Sequence, residues 1–290
     1  MKWNSNGNVI TEITEEILFE QDIATDTLTF SSNFEKLFNR PRSIEHYLRD
    51  KHFLEVVHPD DLHLLPNTKS TERSEDDFMR FDARLLTAEN IYQWFTVCFK
   101  ILRDNAGKPT KFIGRLSNIN EKKLEEDRLR REAQTDMLTG LYNKMTFKQL
   151  AEDMLSEGTH ALIIVDIDDF KNVNDTYGHL FGDEVILTVA SAVRDGFRSS
   201  DITGRIGGDE FAVFARDALD ESVIRNRCRQ ITARLAEIDY PNGYRISVSM
   251  GISFYPRHGK DYPTLFSHAD AALYHLKKHR GKGGYAVYGE

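Results

Sequence analysis

The sequence predicts a molecule of mixed α/β (α+β) class in two parts. An antiparallel-sheet domain over residues 12–120 is joined by a helix over 121–134 to a second domain over 135–290, in which helices cover one sheet. Three observations predict this. The chain has 290 residues, 40% of them hydrophobic, enough for two cores. An almost wholly charged run, Glu121 to Glu132, lacks Gly and Pro and pairs opposite signs at i,i+3 and i,i+4, the mark of a solvated helix. Upstream of it short strand-like runs follow one another; downstream, strands and helices interleave.

In chain order, the first half offers strands at 27–30, 81–86, 92–102 and 111–116. The last two form a hairpin across the turn-rich loop 104–109. In the connecting helix Leu124, Leu129 and Ala133 make a thin apolar stripe, which suits a free linker or a short dimeric coiled coil equally. The second half has a fully apolar strand at 161–165, then a helix from Gly182 with Val185, Val189, Val193 and Phe197 on one face. Two apolar segments, 202–206 and 211–215, flank a turn. A helix over 223–238 buries Ile224, Cys228, Ile231, Leu235 and Ile238, a strand alternates over 244–250, and a last helix carries Leu265, Ala269, Ala272, Leu273 and Leu276.

Charge and cysteine content exclude several classes. A net charge of −8 argues against a general nucleic-acid or membrane-surface binder, so any phosphate site is local. Cys98 and Cys228 are far apart and read as reduced packing residues. No run approaches the ~20 apolar residues of a membrane span, and residues 1–7 lack the hydrophobic stretch of a signal peptide. The chain therefore reads as cytoplasmic, either whole or as the end of a longer sensor.

Two acidic features carry chemistry. Gly207-Gly208-Asp209-Glu210-Phe211 puts two glycines able to take positive φ, then two carboxylates, at a strand-turn-strand junction. Asp166-Ile167-Asp168-Asp169-Phe170-Lys171 ends the buried strand. One of its aspartates is accounted for as a cap of the next helix. Three within four residues call for a cation, and hard oxygens suit Mg²⁺ bridging phosphates. In the first half, His58 reads as a loop histidine helping to cap the next helix, and Cys98 as a core residue.

With those residues in view, 135–290 resembles the GGDEF domain, the diguanylate cyclase module. A given pentapeptide arises by chance in a chain of this length with odds on the order of one in ten thousand, and the flanks match as well. They are Asp136-Met137-Leu138-Thr139-Gly140-Leu141-Tyr142-Asn143, the run from Asp166 to Lys171 with Asn174-Asp175 and Gly178-His179, Gly182-Asp183, Ser249-Met250-Gly251-Ile252 and Ala269-Asp270-Ala271-Ala272-Leu273-Tyr274. His58-Pro59-Asp60-Asp61, Tyr92-Gln93-Trp94, the Gly107 turn and Gly114 are similar to a PAS domain, with Asn118-Ile119-Asn120 where that family often has Asp-Ile-Thr.

The resemblance implies one GTP per domain, two domains facing each other in a homodimer, and cyclic di-GMP as product. It implies Mg²⁺ (or Mn²⁺) held by Asp166, the Ile167 carbonyl, Asp209 and Glu210. Asp209, Glu210 and Lys171 are the catalytic candidates. Phe170, Lys171 and Lys277 contact phosphate and Gly207 and Gly208 bind substrate, with Arg280 or Lys282 as the second basic contact, because the spacing after Lys277 is one residue longer than the family's. Asn174 and Asp183 read the guanine edge, and a carboxylate at 183 disfavours adenine. Arg198-Ser199-Ser200-Asp201 matches the product-inhibition site, with Arg229 as a weaker further contact. The PAS-like half implies a sensor or a dimerising scaffold of unstated ligand.

Overall fold

The computed structural model describes residues 16–65, 77–155 and 158–290. The expected start of the first domain at 12 lies outside them. The chain divides into two units, at Arg128/Leu129, inside the charged helix.

The N-terminal unit is a six-stranded antiparallel sheet. Its strands are β1 (Ile17–Asp22), β2 (Thr27–Phe30), β3 (Ser43–Glu45), β4 (Phe78–Leu86), β5 (Tyr92–Arg103) and β6 (Pro109–Asn118), in the order β3-β2-β1-β6-β5-β4. Strands β2, β4, β5 and β6 contain the four expected runs. β1 and β3 were not foreseen: β1 carries two carboxylates and a glutamine among its six residues, and β3 is three residues long at an edge. Between β2 and β3 lies helix α1 (Asn33–Phe38), which buries Phe34 and Phe38. Phe30 and Phe34 stack with centroids 3.8 Å apart. His58 Nδ1 accepts from the Asp60 amide at 3.2 Å and so caps the turn Pro59–Leu64, as the sequence suggested. Cys98 is buried in β5. Asp61 is buried and gripped by Arg84, whose Nε and Nη2 reach its two oxygens at 2.9 and 2.7 Å. That pairing, opposed by burial, holds the Asp61 carboxyl below its ordinary range.

Helix α2 (Asn120–Gln134) buries no side chain; Leu124 and Leu129 are 61% and 51% exposed. Its surface ion pairs, such as Glu125 with Arg128 at 2.7 Å, contribute little each.

The C-terminal unit contains β7 (Tyr142–Asn143), α3 (Lys144–Asp153), β8 (His160–Ile167), α4 (Phe170–Tyr177), α5 (His179–Gly196), β9 (Ile202–Arg205), β10 (Glu210–Ala215), α6 (Glu221–Ala236), β11 (Val248–Tyr255), α7 (Tyr262–His275) and β12 (Gly284–Val287). The sheet order is β12-β11-β8-β10-β9-β7. Strand β8 is central and buried on both faces, which is why its sequence is apolar without alternation. Ile163 and Val165 pack with Val185, Val189, Ile224 and Cys228 of α5 and α6; Leu162 and Ile164 pack with Phe147, Leu265 and Leu273 of α3 and α7. Burial pushes the Cys228 thiol up to about 12, so it is an inert core residue.

One expected strand is displaced. The alternating run 244–250 predicted a strand there, but β11 begins at Val248, opposite Ile167 at the end of β8, and runs to Tyr255. Alternation marks which residues face inward. The ladder starts only where β8 supplies a partner.

Candidate active site

The hairpin β9–β10 places its carboxylates against the end of β8. Glu210 lies directly opposite Asp166, and Phe211 opposite Val165. The Glu210 carbonyl accepts from the amides of Ile206 and Gly207 at 2.9 and 3.2 Å, closing the tip, and the Ile167 amide donates to the Asp209 carbonyl at 3.2 Å. Gly207 and Gly208 were expected to supply positive φ, and neither is among the positive-φ residues. The reason for Gly207 is steric instead. A Cβ there would stand 2.5 Å from Glu210 Oε2, so its absence lets the carboxylate fold back over the turn.

Negative charge accumulates here. Burial raises the Asp166 carboxyl; Lys277 opposes that shift, and Asp209 and Asp168 add to it. Burial also raises Glu210, helped by Asp166, Asp209 and Asp270. Lys277 Nζ bonds Asp166 Oδ1 and stands 3.9 Å from Asp168, so an ammonium sits where the carboxylates attract a cation. Among the described residues no three carboxylate, imidazole or thiol side chains form a preassembled metal centre. The donor chemistry nevertheless fits a hard divalent ion, because Asp166 and Glu210 are hard oxygen donors whose pKa is raised by burial first and by neighbouring carboxylates second.

The three aspartates of the β8 end separate in role. Asp168 is buried and accepts from Ser247 Oγ (2.6 Å), Ser249 Oγ (2.8 Å) and the Gly283 amide (3.0 Å). It binds the segment before β12 to the sheet and has no need of a cation. Asp169 precedes α4 in a left-handed conformation but makes no side-chain cap, contrary to the capping expected for one of the three; it meets Lys282 Nζ at 2.5 Å instead. Only Asp166 faces the hairpin carboxylates.

Phe170 and Lys171 open α4, Lys171 exposed. Asn174 lies against Gly182, where a Cβ would stand 2.0 Å from its Oδ1, and Asp183 follows, exposed, at the fifth position of α5. The two expected guanine readers are thus neighbours. After α7 the chain makes a π-helical turn, Leu276–Arg280, which absorbs the extra residue noted after Lys277. Lys277 and Lys282 both reach the aspartates of the β8 end, whereas Arg280 is exposed and acts on Glu290.

Arg198 is exposed at the end of α5. Asp201 is otherwise employed: its oxygens accept from the Arg198 and Arg216 amides at 2.9 and 3.0 Å, with Arg227 at 3.7 Å, and its side chain is 4% exposed. Its main observed role is to staple a turn. Arg229 reaches the Tyr285 hydroxyl at 3.2 Å.

Sequence reasoning missed one clamp. Arg205 donates to the Gly208 carbonyl through Nη2 (2.6 Å) and Nε (3.2 Å), and through Nη1 to Asp136 at 3.1 Å. Asp136 also accepts from the Thr139 amide and hydroxyl at 2.9 and 2.7 Å, so one fork joins the domain entrance to the turn at Gly208. An arginine two residues before Gly207, with an unexplained aspartate at the entrance, was the available signal.

The family model for the GGDEF domain, described as "Diguanylate cyclase, GGDEF domain", matches residues 133–283. The chain belongs to the GGDEF family. It is 33% identical over 196 residues to the cyclic di-GMP phosphodiesterase PdeR of Escherichia coli (strain K12), covering 65% of this chain and 29% of PdeR. It is 36% identical over 169 residues to the diguanylate cyclase DosC of the same organism, covering 56% of this chain and 36% of DosC. The chain thus spans about a third of the length of these curated relatives. Among solved structures, the coiled coil and GGDEF domain of DgcB from Caulobacter crescentus in complex with c-di-GMP superposes with TM-score 0.53 at 28% identity, over 58% of this chain and 93% of that one. The GGDEF domain of TpbB from Pseudomonas aeruginosa gives 0.51 at 30% identity, over 53% and 94%. The GGDEF match takes in every site residue above, from Asp136 to Lys282, and leaves the N-terminal sheet outside it.

Proposed function

We propose that this GGDEF protein is a diguanylate cyclase that condenses two GTP into cyclic di-GMP and two pyrophosphates. The observation that carries the reading is the register pair Glu210–Asp166, two half-buried carboxylates raised in pKa by burial and by neighbouring carboxylates, which sets the hairpin that defines the family against the end of β8. Asp166, the Ile167 carbonyl, Asp209 and Glu210 would hold Mg²⁺ or Mn²⁺. When bound, the metal neutralises the triphosphate and eases ionisation of the ribose 3′-hydroxyl. Asn174 and Asp183 orient guanine through its donor edge. The free amides at the start of α4, with Lys171, take phosphate oxygens. Lys277 and Lys282 exchange their aspartate partners for phosphate as GTP enters.

One domain carries one guanine reader and one carboxylate set, so two copies act face to face. The N-terminal sheet is read as a PAS-like sensor acting through α2, Arg198 as the exposed half of a product-inhibition site, and the cytoplasm as the place of action. The reading is tested with the purified chain, GTP and Mg²⁺, by mass spectrometry. Cyclic di-GMP is expected, at a rate per protomer that rises with protein concentration. Glu210→Gln should lower that rate at least about a hundredfold with the fold intact. GTP binding without product at any protein concentration would make the domain a receptor and overturn the reading. Arg198→Ala should let product accumulate further at an unchanged initial rate.

A further inference from the structure

The C-terminal unit carries two histidines that the cyclase site does not use. His275 closes α7, and His279 lies four positions on, in the π-helical turn Leu276–Arg280. Both are exposed, and their ring centres stand 4.8 Å apart. Among the described residues neither ring makes a side-chain hydrogen bond or an ion pair, so two imidazoles share one patch of solvent with their nitrogens uncommitted. The spacing is that of a chelate. Two imidazoles that each give one nitrogen to the same metal at ~2.1 Å, in adjacent positions of its shell, hold their ring centres about 4.5–5.3 Å apart. Histidines at i and i+4 of a helical segment deliver that pairing, and π-helical turns recur at functional sites.

The charged neighbours in sequence are engaged elsewhere. Lys277 bonds Asp166, Lys278 Nζ stands 3.4 Å from the Tyr274 hydroxyl, and Arg280 acts on Glu290. Because both rings are exposed, the repulsion that remains toward a cation is screened by salt. The donors decide the ion. Imidazole suits Cu²⁺, Ni²⁺ and Zn²⁺, whereas Mg²⁺ takes oxygen, so this pair and the carboxylates of β8 and β10 select different metals. Among the described residues no third imidazole, thiol or carboxylate joins the two rings in a metal cluster. Water therefore completes the shell, and the chelate is a bidentate one that exchanges with solvent.

We propose that His275 and His279 form a surface chelate for a late first-row divalent metal, Cu²⁺, Ni²⁺ or Zn²⁺. The site is separate from the carboxylates that face Lys277, and it survives if the cyclase reading fails. A bound ion would also tie together the two ends of the coil that carries Lys277. The full chain, free of any histidine tag, is titrated by calorimetry with NiCl₂, ZnCl₂ and CuCl₂ in saturating Mg²⁺, which keeps the oxygen donors occupied. All three ions should bind, Cu²⁺ most tightly. His275→Gln and His279→Gln each leave a single imidazole and should each weaken Ni²⁺ binding at least about tenfold. Eight of the ten histidines are the same in both variants, so binding that both variants lose belongs to this pair. Backbone amide exchange over 276–280 should slow when Ni²⁺ is added to the unaltered chain and stay as it was in either variant. Unchanged affinity in both variants, a loss confined to one of them, displacement of Ni²⁺ by Mg²⁺, or no binding to the unaltered chain would each overturn the proposal.

Discussion

Gln21 in the N-terminal sheet and Asp168 in the C-terminal one are both polar, both about 95% buried, and both at core-facing positions. Asp168 has three donors, from Ser247, Ser249 and Gly283. Gln21 lines an apolar cavity bounded by Phe30, Phe81 and Phe112, and its Nε2 is buried with no hydrogen-bond partner. The contrast teaches that burial alone does not assign a role to a polar side chain. A saturated group holds the fold together, whereas an unsaturated one is a cost the fold carries.

The largest test of that contrast is Asp168→Ala. It strands three donors and should cost about 2–4 kcal/mol, read as an earlier urea transition of the C-terminal unit. An unchanged midpoint would erase the distinction between the two groups. Next is Arg205→Leu, which removes the fork on Gly208 and Asp136 and should lower turnover about tenfold while GTP still binds. Equal loss of binding and turnover would make the clamp merely structural. Acid sharpens the comparison from the other side. The Asp61 carboxyl is held low by Arg84, so its contribution to stability is complete above the unfolded carboxylate pKa of about 4 and is lost as pH falls through its lower folded value. The N-terminal unit should therefore weaken in acid, and Asp61→Asn should flatten that dependence in thermal melts between pH 5 and 2. The smallest effect belongs to Gln21→Leu, which removes an unmet donor and should leave the melting temperature unchanged or slightly raised.

How far the sequence could be read follows the same physics. Strand β8 was visible because burial on both faces leaves an uninterrupted apolar run, and the face of α6 because Ile224, Cys228, Ile231 and Leu235 recur at helical spacing. Strand β1 was hidden by Glu20, Gln21 and Asp22, one of which turns inward to a cavity no periodicity announces. In the site, residues linked by a few positions were legible: Asp209 with Glu210, and Asp166 at its strand end. Partnerships across long separations were not. Nothing local says that Asp168 belongs to Ser247 and Gly283, or Arg205 to Asp136; those pairings exist only once β8, β10 and β11 have fixed their registers.

The π-helical turn Leu276–Arg280 gives the basic segment slack. Its wider loop holds one residue more than an α-helical path of the same length, so Lys277 and Lys282, five positions apart in sequence, both arrive at the aspartates that end β8. Deleting His279 should draw that slack in and let the turn close as ordinary helix. The two lysines are then spaced by how the backbone coils, and a chain can gain or lose a residue there without moving its charges.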